Sequence, residues 1–161
     1  MEAPKQIKPK RLGDYLEVMT KAAFQSGISW RVIEAKWEGF REAFAGFDAE
    51  RVAELEPPDV DRLAEDTRIV RNRAKIEATV HNARTMLELD GEARGGFKGY
   101  LRSFGDFDAL VKDMRKRFKF LGDTGAYYFL YVVGEKVPSH EDWMRGHGTD
   151  RPRSRTGSRA R

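Results

Sequence analysis

Apolar residues recur at helical spacing along nearly the whole chain. Leu16, Met19 and Ala23 share one face of a segment over residues 10–24, and Ile33, Trp37, Phe40 and Phe44 share one face of a second over 30–44. Asp48 is placed to cap a short helix over 49–55. Pro57 and Pro58 end that helix and open another over 59–66. The longest pattern covers 69–89, with Ile76, Val80, Ala83 and Leu87 along one face. D-G-E-A-R-G-G at 90–96 reads as a loop, followed by helices over 97–104 and 107–118, the second turning Val111, Met114 and Phe118 inward. K-F-L-G-D-T-G at 119–125 is a tight hairpin into a strongly apolar helix over 126–133. V-G-E-K-V-P-S at 133–139 is a second loop, and 140–144 a last turn. No strand-like alternation lasts more than a few residues, and no long repeat is present. The predicted class is all-α, with short connections and many crossing helices.

Length adds that the chain of 161 residues suits one domain, or two small lobes sharing a core, with no need of staples. With no cysteine, a disulfide framework and a thiolate metal site are excluded, and a reducing compartment fits. M-E-A-P-K-Q-I-K-P-K-R at the start carries charge but no apolar core, unlike a secretory signal. The longest apolar run, Ala126 to Val133, is far shorter than a membrane span. Charge is uneven. Residues 145–161 hold six arginines against one acid, a net of +5 that leaves −1 on residues 1–144 of the total of +4. The predicted organisation is an N-terminal arm over 1–10, a helical domain over 11–144 and a disordered basic tail over 145–161. Such a tail serves either nucleic-acid contact through counterion release or plain solubility.

Candidate chemistry centres on the hairpin. Its geometry leaves the backbone N–H groups of the next helix's first turn facing outward, where they and the helix dipole favour an anion such as a DNA phosphate. Lys119 adds a point charge, and Gly122, Thr124 and Gly125 complete the candidate phosphate site. Asp123 repels a phosphate but suits the N-cap of that helix. Plain helix-turn-helix packing explains the same loop if it is taken alone. Arg71, Arg73, Lys75 and Arg84 form a basic run whose face either lies along DNA or is simply solvated. Tyr127, Tyr128 and Tyr131 either line a pocket or belong to the core, and their hydroxyls need partners. The histidines at 140 and 147 are not at ligand spacing, which argues against a metal. F-Q-S-G-I-S-W at 24–30 puts an apolar Ile28 and a Trp30 on what is otherwise ordinary turn punctuation.

Several of these pieces occur together. Q-S-G-I-S-W (25–30), F-A-G-F-D-A-E-R-V-A (44–53), I-V-R-N-R-A-K-I-E-A (69–78), N-A-R (82–84), G-Y-L-R-S-F (99–104) and F-K-F-L-G-D-T (118–124) resemble, in order and spacing, the 3-methyladenine DNA glycosylase I family of the helix-hairpin-helix superfamily. The resemblance spans about residues 11 to 143. It implies a helix-hairpin-helix fold of two helical lobes with double-stranded DNA, alkylated or abasic, in the cleft between them. It implies hydrolysis of the N-glycosidic bond of an alkylated purine such as 3-methyladenine, in base excision repair. The base must leave the stack, at a cost of a few kcal/mol. By resemblance, Gly27 and Ile28 form the wedge that fills the gap, and Trp30, Gln25 and Tyr127 border the base pocket. A cationic base stacks well on an indole.

The sequence also departs from the family. Ala22 stands where relatives carry a Glu that contacts the base. The N-terminal segment with its Tyr, Trp and zinc-binding Cys and His is missing. His140 matches a later zinc ligand, but Met144 stands where the last Cys belongs, so no metal and no cofactor are expected. No carboxylate falls near Pro138, where the wider superfamily places its Asp, so no catalytic residue is assigned. The expectation is a monomeric, cytoplasmic, nucleoid-associated DNA glycosylase with no membrane partner. The rival readings are a catalytically inactive damage-recognition module on the same fold and a protein-interaction adaptor.

Overall fold

The computed structural model describes residues 4–147, and among them every regular element is helical. The α-helices are α1 (Leu12–Gln25), α2 (Trp30–Ala43), α3 (Ala49–Ala53), α4 (Pro57–Leu63), α5 (Arg73–Glu92), α6 (Gly96–Leu101), α7 (Phe107–Arg117), α8 (Asp123–Val132) and α9 (His140–His147), with a 3₁₀ turn at Ala45–Phe47.

Helices α1 and α5 are the shared spine. On one side α2, α3 and α4 pack around them; on the other, α6 packs on α5, and α8 on α1, with α7 against α8. The result is two groups of helices over one continuous core. The α2 side is filled by a stack of aromatic rings, with Trp37 lying on Phe40 at 4.7 Å and on Phe47 at 5.4 Å between centroids. On the other side Phe97 meets Tyr15 edge-on at 5.1 Å and packs beside Tyr100 and Phe118. Fully burying one such ring contributes about 1.5–3 kcal/mol, so these clusters fix how the helices cross.

Most element ends follow local chemistry. Asp48 accepts from the Arg51 N–H at 3.1 Å and starts α3 as expected. Pro57 opens α4 in the first turn, where a missing N–H costs nothing. The expected long helix starts four residues late, at Arg73. Asn72 caps it by accepting from the Lys75 N–H at 3.1 Å, and Ile69 is buried from an irregular stretch rather than from a helix. It also runs on through Gly91, so the expected 90–96 loop shrinks to a turn. Gly95 (φ +82°) and Gly96 (φ +73°) make that turn, and Asp90 holds the Phe97 N–H at 2.8 Å. Helix α8 begins three residues earlier than its apolar pattern, because its first turn faces solvent. Helix α9 extends through residues 145–147, which the charge pattern had assigned to the tail; residues 148–161 of that tail lie outside the described residues. The N-terminal arm is docked, with Ile7 N–H donating to the Val132 carbonyl (2.7 Å) and the Gln6 amide to that of Tyr131 (2.9 Å). It thereby satisfies carbonyls at the end of α8 that have no partner within the helix.

Candidate functional site

Two loops frame the candidate site, the α1–α2 turn and the α7–α8 hairpin, and α5 holds both. The first turn begins where α1 ends at Ser26, whose N–H bonds the Ala23 carbonyl. Gly27 has φ +77°, a left-handed conformation that favours glycine, and projects into solvent with nothing near it. Ile28 is half-buried, with its side chain packed on the core edge, so the expected wedge is seated rather than fully exposed. Ser29 caps α2 by accepting from the Arg31 N–H at 3.2 Å. Trp30 follows as the first residue of α2 and is 49% exposed. It is not a core residue; its nearest charged neighbour is the Arg31 guanidinium, 5.7 Å from the ring centroid. Gln25 is half-buried at the end of α1.

The hairpin runs from Phe118 to Gly122. Its left-handed residue is Phe120 (φ +58°), not a glycine, and the Phe120 ring is 43% exposed. Such a φ is uncommon for a bulky side chain and is held here by the surroundings. Asn82 on α5 grips the backbone of the residue just before Phe120. Its Oδ1 accepts from the Lys119 N–H at 2.8 Å and its Nδ2 donates to the Lys119 carbonyl at 3.1 Å. His81 Nε2 lies 2.9 Å from the Arg117 carbonyl. Gly122 is the N-cap of α8 at φ −91°, and open space surrounds the position of a Cβ. The first bond within α8 is Ala126 N–H to the Gly122 carbonyl, so the N–H groups of residues 123–125 have no partner inside the helix. Lys119 and Thr124 are exposed beside them, while Gly125 turns half-inward. A Cβ at Gly125 would lie 3.4 Å from Leu121 and 3.9 Å from the Ala22 methyl, so its absence brings α8 close to α1.

Three sequence expectations are corrected. Asp123 is not the cap; it is the first residue of α8, and its carboxylate pairs with Arg115 at 2.9 Å. Lys75 does not belong to an exposed basic face. It is 4% exposed and donates to the Phe24 carbonyl at 3.0 Å and to that of Ser26, so it stabilises the end of α1 and the turn carrying Gly27. Burial lowers its pKa from the ordinary lysine value. Its ammonium also lies 5.9 Å from the Phe120 ring, linking the two loops. Arg73 and Arg84 are likewise engaged, Arg73 with Asp61 and Arg84 with the carbonyls of Ala53 and Leu55. Spacing could not show that Lys75 points inward, but Asn82 left a signal, since it is a polar residue beside Ala83 on the apolar stripe of α5.

Tyr127 is placed apart from the Trp30 turn. Its ring is buried, stacks on Trp143 at 4.6 Å and lies near Phe107, Tyr131 and His140, and its hydroxyl donates to the Pro138 carbonyl at 3.0 Å. A cavity of about 310 Å³ opens between α7, the start of α8 and α9, lined among others by Phe107, Lys112, Asp123 and Trp143; no residue expected for the base pocket lines it. Among the described residues no cluster of three His, Cys, Asp or Glu is placed to hold a metal ion.

An exposed indole beside a glycine tip, and a hairpin with unpaired helix N–H groups and a lysine linked to that turn through Lys75, have the parts to stack a base and hold a backbone phosphate. The model of the methyladenine glycosylase family matches residues 13–116. The chain is similar to DNA-3-methyladenine glycosylase 1 of Escherichia coli, at 34% identity over 131 residues that cover 68% of this chain and 70% of the relative. The DNA-3-methyladenine glycosylase of Haemophilus influenzae is 30% identical with the same coverage. Among solved structures, 3-methyladenine DNA glycosylase I from Staphylococcus aureus, studied for its recognition of 3-methyladenine, superposes with a TM-score of 0.71. That match has 28% identity and covers 81% of this chain and 80% of the other.

Proposed function

This chain belongs to the methyladenine glycosylase family, and from that premise we propose that it hydrolyses the N-glycosidic bond of alkylated purines of the 3-methyladenine type in DNA, as a monofunctional glycosylase of base excision repair. The observation that carries the reading is Trp30, half-exposed at the mouth of a glycine turn where a packed core residue would be covered.

The damaged nucleotide leaves the helix. Ile28, backed by the core, fills the space it vacates, while Gly27 lets the turn approach the bases closely. Trp30, with Gln25 at its border, receives the extruded base, whose positive charge is attracted to the indole face. The unpaired N–H groups at the start of α8 and the Lys119 ammonium hold a backbone phosphate, and Gly122 allows that phosphate to come near. Tyr127, with its hydroxyl bonded to Pro138, lies in the aromatic cluster with Phe107 and Trp143 and takes no part in holding the base in this reading. Water then attacks C1′. The C1′–N bond breaks with its electron pair going to the purine, which departs neutral, and the proton of the attacking water passes to solvent. Because the leaving base starts as a cation, the barrier is lower than for a normal purine, and differential binding of the developing charges supplies the rest.

The partner in this reading is duplex DNA, bound by a monomer without a cofactor. Among the described residues no helix is long and apolar enough to cross a membrane. Incubation of the full chain with N-methylated duplex, followed by counting of abasic sites, tests the activity; release at the buffer rate by folded protein rejects it. One observation favours a second reading, a damage-binding module without turnover: Ala22 is buried against Gly125, so α1 offers no carboxylate to the pocket. That reading expects tight binding to alkylated or abasic duplex with no base release.

A further inference from the structure

A cationic base needs a negative partner once it has left water, because an uncompensated charge in a cleft is costly. Helix α1 supplies none at Ala22. The facing helix does. Glu34 follows Trp30 by four residues on α2, so the two side chains are neighbours on one face. That face meets α1 in a polar ladder. Trp37 Nε1 donates to Glu17 at 2.8 Å, and Arg41 pairs with the same carboxylate at 2.7 Å. One turn nearer the Gly27 tip, Lys21 pairs with Glu34 Oε2 at 2.6 Å. A further turn along α1 comes Gln25, at the level of Trp30.

We propose that Glu34 supplies the carboxylate that recognises the alkylated purine beside Trp30, with Lys21 positioning it; this rests on the glycosylase reading given above. Three features set this ion pair apart from ordinary surface pairing. Lys21 is mostly buried, its side chain 20% exposed, with its ammonium 5.3 Å from the Trp37 ring, whereas the Glu34 side chain remains 47% exposed and open to a ligand. Lys21 occupies one carboxylate oxygen only; Oε1 has no hydrogen bond among the described residues. Burial, and after it the Glu34 charge, raise the pKa of the Tyr128 phenol on α8, so that helix also lies within the field of this carboxylate. The free oxygen accepts from the exocyclic amine of the base and its charge offsets the ring cation. Lys21 holds the carboxylate in place through the 2.6 Å contact. The chemical class selected is a flat, positively charged purine bearing an amine.

The test is single-turnover release of 3-methyladenine from alkylated duplex by the full chain, alongside binding to a duplex with a tetrahydrofuran abasic analogue. Glu34→Gln should slow release roughly tenfold or more and leave abasic-duplex affinity within about twofold, as expected when one charge stabilising the reacting base is removed. Lys21→Met keeps the carboxylate but frees its orientation, and should slow release severalfold, less than Glu34→Gln does. The double variant Lys21→Met with Glu34→Gln separates chemistry from packing. If the single loss came only from stranding the lysine, the double variant regains the rate; if the carboxylate acts on the base, it stays slow. Release by Glu34→Gln at the wild-type rate, or recovery in the double variant, overturns the assignment and leaves the glycosylase reading standing. A wild-type chain that releases no base overturns that reading and this one with it.

Discussion

Gly122 has a negative φ and open space where a Cβ would stand, so an alanine fits the fold there without strain. In the proposed function its bare backbone serves the approach of a phosphate. Gly122→Ala should therefore leave thermal stability unchanged or raise it by about 0.4–1 kcal/mol through the unfolded chain, while weakening duplex binding in a fluorescence titration. Trp30 follows the same logic at larger scale. Its ring is half in solvent, so Trp30→Ala should shift stability by no more than about 0.5 kcal/mol, as for a surface change. Base release should fall roughly ten- to a hundredfold, from the loss of about 1–3 kcal/mol of base stacking. A large fall in melting temperature with unchanged release would place Trp30 among the core residues instead.

At the level of elements, the hairpin is held in place by side chains from its neighbours. Asn82 satisfies both backbone groups of Lys119, and Asn82→Ala would leave them unpaired in a half-buried place at a cost of about 1–3 kcal/mol. The expected readout is faster amide exchange confined to the hairpin, with DNA affinity reduced and helix content kept. Helices α6 and α7 are joined by a second clasp, in which Asp113 accepts from the Tyr100 hydroxyl at 2.5 Å and from Arg117 Nε at 2.7 Å. Burial raises the Asp113 pKa, but the bonds from Tyr100 and Arg117 outweigh it and the net shift is downward. A carboxylate with a depressed folded pKa adds stability above its unfolded value and loses it as pH falls through the folded one. Asp113→Asn should thus lower stability at neutral pH and flatten the acid limb of the unfolding profile below about pH 4. Parallel acid limbs for the two proteins would remove Asp113 from that balance.

Over the whole molecule, the two helix groups meet on α1 and α5, and Lys75 ties the turn of one to the hairpin of the other. The α1–α2 turn with Gly27 and the α7–α8 hairpin with Phe120 are therefore tied to each other through one buried side chain. The proposed function puts the electrostatic grip on DNA at the hairpin, where Lys119 is exposed just after the cations of α7. Lys119→Ala in the full chain should weaken binding to all duplexes alike and reduce the slope of log affinity against log salt by about 1. Affinity and slope equal to wild type would move the phosphate contact elsewhere.

Sequence alone determined the helical class, most helix starts and the motif set, because apolar periodicity, Asp48 as a cap and Pro57 as a first-turn residue act over a few neighbouring positions. The exposed Lys119 and Thr124 were legible for the same reason, as was the glycine tip at Gly27. Direction across the fold was not. Lys75 and Arg71 read as one basic face, yet the start of α5 at Arg73 turned Lys75 inward onto the end of α1. Asp123 looked like a cap, but Gly122 takes that position, and Asp123 opens the first turn of α8 with its carboxylate drawn aside by Arg115. Glu34 carried no local signal at all: its partner Lys21 comes from a different helix, and only tertiary packing sets that pair on the face of α2 that begins with Trp30.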